Sequence, residues 1–278
     1  PDNSELQEIV CGAFQDIASG HDIYDKYNII VLFDQMRLHR MDANKIYNSL
    51  SDVDEDKPIL LVLDSRGGDV AAAYLIGKLC REKSSEFVAA VPRQAKSGAT
   101  LICCGADQIH MGSLSELGPI DPQLEGVPAL ALKYSIEHIA ELSRRYPNAS
   151  EMFSNYLSKS LDIEQLGYYE RVAESATQYA ERLLQNRKVG ADQDEIAEIA
   201  DRLVYQYKDH GFVIDSNESQ EIFGADVVKM DTPEYNLADD LFNKYSFLFK
   251  LIDNFFDRHM YFTGRLNSGC KVFNPDNI

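Results

Sequence analysis

The chain has 278 residues, of which 45% are hydrophobic and 26% are charged, a composition typical of a folded globular protein rather than a disordered or collagen-like one. Its 45 acidic and 27 basic residues give a formal net charge of −18, which disfavours binding to nucleic acid and to anionic lipid surfaces. A chain of this length can bury a substantial core, as one large domain or two modest ones.

The cysteines and the N-terminus indicate the compartment. An odd number of cysteines without C-x-x-C spacing argues against both a disulfide framework and a zinc site. A basic segment followed by an apolar one is missing at the N-terminus, and so is an apolar run of the roughly 20 residues that a membrane helix needs. We therefore expect a cytoplasmic protein without a membrane segment, metal or cofactor. The cysteines are Cys11, Cys80, Cys103, Cys104 and Cys270.

The first half of the chain alternates between short apolar runs and amphipathic segments. Continuous apolar strands that alternate with helices are typical of a parallel sheet covered on both faces, with right-handed crossovers between its strands. We predict strands at 27–33, 59–63, 86–91 and 108–111, and helices at 42–51, 70–81 and 97–105.

Beyond residue 130, strand signals nearly vanish and helical periodicity dominates. The sequence therefore predicts an α/β core over residues 1–130 and a mainly helical extension over residues 131–278, which packs on that core. Apolar spacing predicts helices near 136–142, 152–157, 163–187, 196–204 and 237–256.

Two glycines, Gly67 and Gly68, follow the second predicted strand. Such a pair allows a tight turn and lets another group come close to the backbone N–H groups. Ligands of open α/β sheets bind at this end of the strands. Neither of the common phosphate-binding glycine patterns is present, and a purely structural turn is the simpler alternative.

Ser97 begins a short, almost wholly apolar segment that we predict to be a buried helix. A serine at this position is commonly an N-cap. The functional alternative is a nucleophile, because the helix N-terminus directs N–H groups and a positive dipole end toward a developing oxyanion. The amides of Gly68 and Gly98 would then form the oxyanion hole.

Three further residues are candidate partners of Ser97. Asp121 lies between Ile120 and Pro122 in a loop fixed by prolines, which suits either an orienting carboxylate or an ordinary turn. His210 lies at a predicted helix end, where it is either a general base or a cation that complements the helix dipole. Lys133 follows the apolar residues 129–132 and is either a base of lowered pKa or a solvated lysine.

The segments 64–69, 95–100, 105–112 and 117–123, taken in this order, resemble the Clp-protease/crotonase fold. Within that fold they are most similar to the serine dehydrogenase proteinase family, relatives of signal peptide peptidase A. The similarity is strong over about residues 27–125 and extends more weakly to about 228. It implies Ser97 as nucleophile and Gly67, Gly68 and Gly98 as the oxyanion-hole segment.

The resemblance also exposes a departure in the catalytic base. The Clp proteolytic subunit has a histidine where this chain has Asp121, so the two roles look exchanged along the chain. The serine dehydrogenase proteinases imply the order Ser97, Asp121, His210, and several chain orders serve the same chemistry. Signal peptide peptidase A implies instead a serine–lysine dyad with Lys133, since Lys96 is expected to point away from the site.

The resemblance implies a serine endopeptidase that cleaves peptides or unfolded proteins and assembles as a homo-oligomer, either a ring or a dimer-based assembly. With a charge of −18, basic substrates should be favoured and their binding should weaken with salt. Two alternatives remain open: a crotonase-like enzyme acting on acyl-CoA, and a catalytically inactive assembly scaffold.

Overall fold

The computed structural model describes residues 1–34, 37–124, 127–128, 131–160, 163–187 and 192–274. The strands are β1 (Asn28–Asp34), β2 (Ile59–Ser65), β3 (Phe87–Ala90), β4 (Gln94–Ala95), β5 (Gln108–Met111), β6 (Glu116–Leu117), β7 (Gln123–Leu124), β8 (Val127–Pro128), β9 (Val228–Met230), β10 (His259–Arg265) and β11 (Cys270–Phe273). The helices are α1 (Asn3–Ser19), α2 (Arg40–Ser49), α3 (Val70–Glu82), α4 (Gly98–Cys104), α5 (Ala131–Arg145), α6 (Ser150–Ser160), α7 (Ile163–Gln185), α8 (Gln193–Asp201), α9 (Ser216–Phe223) and α10 (Pro233–Phe256). A π-helical turn, Arg202–Gln206, follows α8.

A nine-stranded sheet forms the centre of the molecule, with β11, β10, β1, β2, β3, β5 and β9 side by side in that order. The five strands from β1 to β9 in this order run parallel, as the continuous apolar runs predict. The short strands β4 and β6 extend the sheet beyond the end of β2. The predicted α/β fold with a parallel-sheet core is confirmed.

Helices cover both faces of this sheet. Leu61 and Leu63 of β2 pack on one face against residues of α2, α3, α4, α7, α8 and α9. Leu60 and Val62, the alternate residues, pack on the other face against α1 and α10. Both faces of the strand are therefore buried, and its sequence is apolar throughout rather than alternating.

The second half of the chain contains three strands that the sequence analysis did not predict. β9 pairs with β5, β10 pairs with β1, and β11 pairs with β10. The last two pairings are antiparallel and form one edge of the sheet. β9 has only three residues, and β10 mixes buried with partly exposed positions and contains Gly264, so neither gives the continuous apolar signal that marks β1 and β2. The predicted boundary at residue 130 lies outside the described residues and stays a prediction.

The cysteines and the helices bear on the predictions about disulfides and membrane segments. All five cysteines are free and buried, and burial raises the pKa of Cys80 to about 12. In the described part of the chain, none of the helices combines the length and the apolar character that crossing a membrane requires.

The position of β10 in the core generates a stability prediction. Phe262 of β10 is fully buried and stacks on Phe14 of α1 with ring centroids 4.3 Å apart. We expect Phe262→Ala to lower the free energy of unfolding by about 3–5 kcal/mol, because it leaves a cavity between α1 and the sheet. Urea unfolding followed by circular dichroism measures the change. The matched control is Phe255→Ala, whose side chain is 80% exposed. Equal effects of the two changes would contradict the packing of β10.

Candidate active site

Two turns meet in backbone contact at the carboxyl ends of β2 and β4. Gly67 has a φ of 81°, and a Cβ built on it would lie 2.3 Å from the Lys96 carbonyl oxygen and 2.8 Å from the Gly98 nitrogen. No other residue type fits there, because its Cβ would overlap the neighbouring backbone. The glycine therefore brings the turn after β2 against the residue that precedes Ser97.

The amides of Gly68 and Gly98 lie on either side of this contact. A Cβ built on Gly98 would lie 3.3 Å from the Gly68 nitrogen, so the two turns are close enough to share a bound atom. Gly67 O and Asp69 N are both engaged by Leu38, which fixes the peptide groups around Gly68. Within the described chain, neither the Gly68 nor the Gly98 amide donates a hydrogen bond.

Among the described residues, the amide of Gly67, unlike those of Gly68 and Gly98, donates a hydrogen bond. It donates to Ser65 Oγ at 3.0 Å and is therefore not available to an oxyanion. The sequence predicts the amides of Gly68 and Gly98 as the donors, and the place of Gly67 in the oxyanion-hole segment stays a prediction. The contribution of Gly67 is the close approach that its missing side chain permits.

Ser97 occupies the turn between β4 and α4 with a φ of 50° and a ψ of −118°. A non-glycine residue with this backbone costs roughly 1–3 kcal/mol, and such strain is concentrated at functional sites. Ser97 is the N-cap residue of α4, but its hydroxyl makes no capping hydrogen bond. A serine on a sharp strand-to-helix turn, partly exposed, has the backbone arrangement of a nucleophile elbow.

Asp121 and His210 form a close pair, although 89 residues separate them in the chain. Asp121 Oδ1 lies 2.6 Å from His210 Nδ1, with the carboxylate 7% exposed and the imidazole 33% exposed. Gln123 Nε2 donates to the other carboxylate oxygen of Asp121 at 2.9 Å. A carboxylate bound to Nδ1 fixes the tautomer that leaves Nε2 as the proton acceptor.

A short backbone pairing brings this pair beside Ser97. Leu117 of β6 exchanges two hydrogen bonds with Ile214, of 2.9 and 3.1 Å, and also pairs with Ala95 of β4. The segments that carry the serine, the aspartate and the histidine are therefore neighbours. Among the described residues, no hydrogen bond joins Ser97 Oγ to His210, a common situation in unliganded sites whose catalytic contacts tighten with substrate.

The alternative base, Lys133, lies exposed on α5. Its ammonium makes neither a hydrogen bond nor an ion pair with any of the described residues, so the geometry gives it no link to Ser97. Residues 129–130, part of the apolar stretch expected beside it, lie outside the described residues. Lys96 does point away from the site, as expected, with its ammonium against Leu117 and Phe212.

Arg187 is a residue of this region that the sequence analysis missed. It is buried, donates to the carbonyls of Cys103 and Cys104 at 3.1 and 2.9 Å, and stacks on Phe223. These carbonyls end α4, the helix that begins beside Ser97. Burial lowers the pKa of the guanidinium. From the sequence, an arginine after a long amphipathic helix is indistinguishable from an ordinary exposed cation.

The described residues also bear on metal binding. Within the described ranges, no three His, Cys, Asp or Glu side chains are grouped so that they could hold a metal ion.

Comparison with known proteins identifies the family. Residues 29–237 match the ClpP-like SDH-type serine proteinases. The chain belongs to this family. The match includes Ser97, Asp121 and His210, and it confirms the family that the sequence motifs resemble.

Individual relatives of this SDH-type proteinase are more distant. Two uncharacterized proteins of Methanocaldococcus jannaschii are 38% identical over 96 residues and 32% identical over 91 residues. The matches cover 34% and 33% of this chain, and the chain spans about a third of the length of these curated relatives. The chain also matches a solved structure of a membrane-bound stomatin-specific protease, a serine-to-alanine mutant, with 15% identity and a TM-score of 0.46. That similarity covers 79% of this chain and 84% of the other.

The contact at Gly67 generates a prediction of opposite signs at two glycines. Gly67→Ala should lower the free energy of unfolding by more than about 1 kcal/mol, because its φ is positive and its Cβ meets backbone. Gly12→Ala in α1, with open space around the new Cβ, should raise it by about 0.5–1 kcal/mol. Urea midpoints compare the two variants. A Gly67→Ala protein as stable as Gly12→Ala would contradict the backbone contact.

Asp64, at the end of β2, makes the stability of the protein depend on pH. Burial raises the pKa of its carboxyl to about 6, although the Gln94 amide and Arg93 favour the ionised form. The folded protein thus keeps this proton to about pH 6, whereas the unfolded chain releases it near 3.8. Between these values the folded state binds more protons, so the free energy of unfolding falls as the pH rises.

We expect Asp64→Asn to remove this contribution of Asp64 to the pH dependence of the free energy of unfolding. The stability of the variant relative to the wild type should rise by up to about 3 kcal/mol between pH 4 and pH 7, since one pKa unit corresponds to about 1.4 kcal/mol. Urea unfolding at several pH values measures the difference. Asp226→Asn, at a carboxylate that is 96% exposed, is the matched control. A pH-independent difference for Asp64→Asn would contradict the raised pKa.

Proposed function

We propose that this chain is a serine peptidase in which Ser97 is the nucleophile, His210 the general base and Asp121 the residue that orients the imidazole. The proposed oxyanion hole consists of the Gly68 and Gly98 amides. The observation that carries the proposal is the 2.6 Å Asp121–His210 contact beside a strained serine turn. Membership of a serine proteinase family supports the reaction class.

The reaction follows from these assignments. Ser97 Oγ attacks the carbonyl carbon of a peptide bond while His210 Nε2 takes the hydroxyl proton. Asp121 stabilises the imidazolium, and the two amides bind the negative oxygen of the tetrahedral intermediate, commonly the largest single contribution. His210 then gives the proton to the leaving amine. Water, activated by the same imidazole, releases the acyl group from the serine.

Lys133 remains the alternative base of the proposal, and the carboxylate bound to His210 favours the histidine. A crotonase-like acyl-CoA enzyme needs the oxyanion hole but no serine nucleophile. The uncapped Ser97 hydroxyl therefore favours the peptidase over that alternative. An inactive scaffold has no need of strain at this residue.

The proposed substrates are peptides or unfolded proteins, with basic chains favoured by the net charge of −18. Assembly as a homo-oligomer is also part of the proposal. Tyr156 and Tyr168, which are 64% and 49% exposed on α6 and α7, are candidate subunit contacts.

A fluorophosphonate probe tests the nucleophile. We expect the probe to label the wild-type chain near neutral pH, with the adduct on Ser97 in peptide mass spectrometry. Ser97→Ala should not be labelled, because its hydroxyl is gone. Ser115→Ala, which removes the hydroxyl of a buried serine elsewhere, should label normally. An unlabelled wild type, or an adduct on another serine, would contradict the proposal.

The same assay identifies the base. His210→Gln should lower the labelling rate by about 10³-fold or more, by analogy with members of other triads, while Lys133→Gln should leave it nearly unchanged. The reverse result would assign the serine–lysine dyad. If both variants were labelled at the wild-type rate, neither residue could be the base.

A further inference from the structure

The side chain of Lys96, the residue before Ser97, runs away from the nucleophile and ends in a site that it fills. Its ammonium lies 3.1 Å from Leu117 O, 3.1 Å from Phe212 O and 3.1 Å from Glu116 Oε2. The ammonium donates hydrogen bonds to the two carbonyls and forms an ion pair with the carboxylate. The Lys96 side chain is only 12% exposed, although its contact with the Phe212 carbonyl lies at the surface.

The aliphatic part of Lys96 is held as closely as its ammonium. A Cβ built on Gly118 would lie 2.5 Å from Lys96 Cδ, so the lysine stem lies directly against this glycine. Gly118 is itself fixed, because its N–H and C=O groups both bond to Thr100 Oγ1 of α4. The path from Ser97 to the ammonium is therefore packed along its length.

The two carbonyl acceptors belong to the segments that carry the proposed base and its partner. Phe212 follows His210 by two residues, and Leu117 precedes Asp121 by four. In the segment after His210, Phe212 and Val213 are 43% and 53% exposed, whereas Ile214 is fully buried in the core. Lys96 adds a polar contact to the exposed part of this segment, directly from the turn that carries Ser97.

We propose that Lys96 is a positioning residue that holds the Asp121–His210 pair in register with Ser97. This inference rests on the proposed function, because the register matters only if these residues form the catalytic site. Lys96 does not act as the base, since its donors are engaged away from the serine. Its contribution is geometric, and a displacement of about 1 Å in such a site can cost about 10²-fold in rate.

Lys96→Met tests the proposal, because it keeps most of the stem volume and removes the ammonium. We expect the fluorophosphonate labelling rate to fall about 10- to 100-fold. With a cleavable peptide, kcat should fall while KM stays nearly constant, because the peptide contacts are not changed. The matched control is Lys229→Met, which removes another lysine that donates to a backbone carbonyl, and it should retain the wild-type rate.

A spectroscopic readout separates positioning from a general loss of stability. The short Asp121–His210 hydrogen bond should give a downfield imidazole proton in the ¹H NMR spectrum, identified by its loss in His210→Gln. We expect Lys96→Met to shift or broaden this resonance, and Lys229→Met to leave it unchanged. Lys96→Arg should restore it only in part, since a planar guanidinium does not match three acceptors arranged around a point.

Gly118→Ala displaces the lysine without removing it. The new methyl group would overlap the lysine stem, so the rate should fall in the same direction as in Lys96→Met. The double variant should lose little more than either single variant, because both changes break the same contact. This second route keeps the proposal testable if Lys96→Met does not fold.

The outcomes separate this inference from the proposed function. A wild-type rate and an unchanged downfield proton in Lys96→Met or Gly118→Ala would overturn the positioning role and leave the peptidase intact. If the wild type itself does not label, the proposed function fails. The downfield proton then still decides whether Lys96 holds the Asp121–His210 pair, since that signal needs no activity.

Discussion

Backbone meets backbone where the turn after β2 touches the turn after β4, and the site depends on this contact. It exists because Gly67 lacks a Cβ, which would otherwise lie 2.3 Å from the Lys96 carbonyl oxygen. The strand behind the first turn, β2, is buried on both faces, and Ala95 of β4 is buried in the same core, so the two turns cannot shift apart without opening that core. The sheet thereby holds Ser97 at a strained φ, and the amides of Gly68 and Gly98, which donate no hydrogen bond within the described chain, are the donors of the proposed oxyanion hole.

The backbone groups at the two ends of α4, the helix that follows Ser97, differ in their hydrogen-bond partners. All seven residues of α4 are buried, so its end groups cannot rely on water. At the C-terminus, Arg187 bonds to two carbonyls and compensates the negative end of the helix dipole. At the N-terminus, the Gly98 amide has no acceptor in the described chain. This asymmetry leaves the positive end of the helix directed at the proposed site, where a developing oxyanion would supply the missing acceptor.

The sequence predicted an element correctly where the residues of that one segment determine its structure. Continuous apolar runs predicted β1, β2, β3 and β5, and a serine before an apolar segment predicted a buried helix with Ser97 at its start. Long-range geometry had no such signal: nothing in the spacing of Asp121 and His210 pairs them, and only the family resemblance did so. Arg187 and the partly exposed strand β10 were missed because each resembles an ordinary surface element in sequence. The hydrogen bond from the Gly67 amide to Ser65 Oγ was also missed, because nothing in the sequence indicates it.

The proposed site thus has two parts of different rigidity. The serine turn and the glycine amides belong to the buried sheet, so a change there affects folding as well as chemistry. The base belongs to a surface segment that the Leu117–Ile214 pairing and the ammonium of Lys96 attach to the sheet. Ile214 anchors this segment in the core, while the imidazole of His210 is 33% exposed. In this proposal the serine turn is already formed in the free protein, although within the described residues no hydrogen bond joins Ser97 to His210. A peptide bound across both parts would close the remaining gap, and its binding energy would then contribute to catalysis.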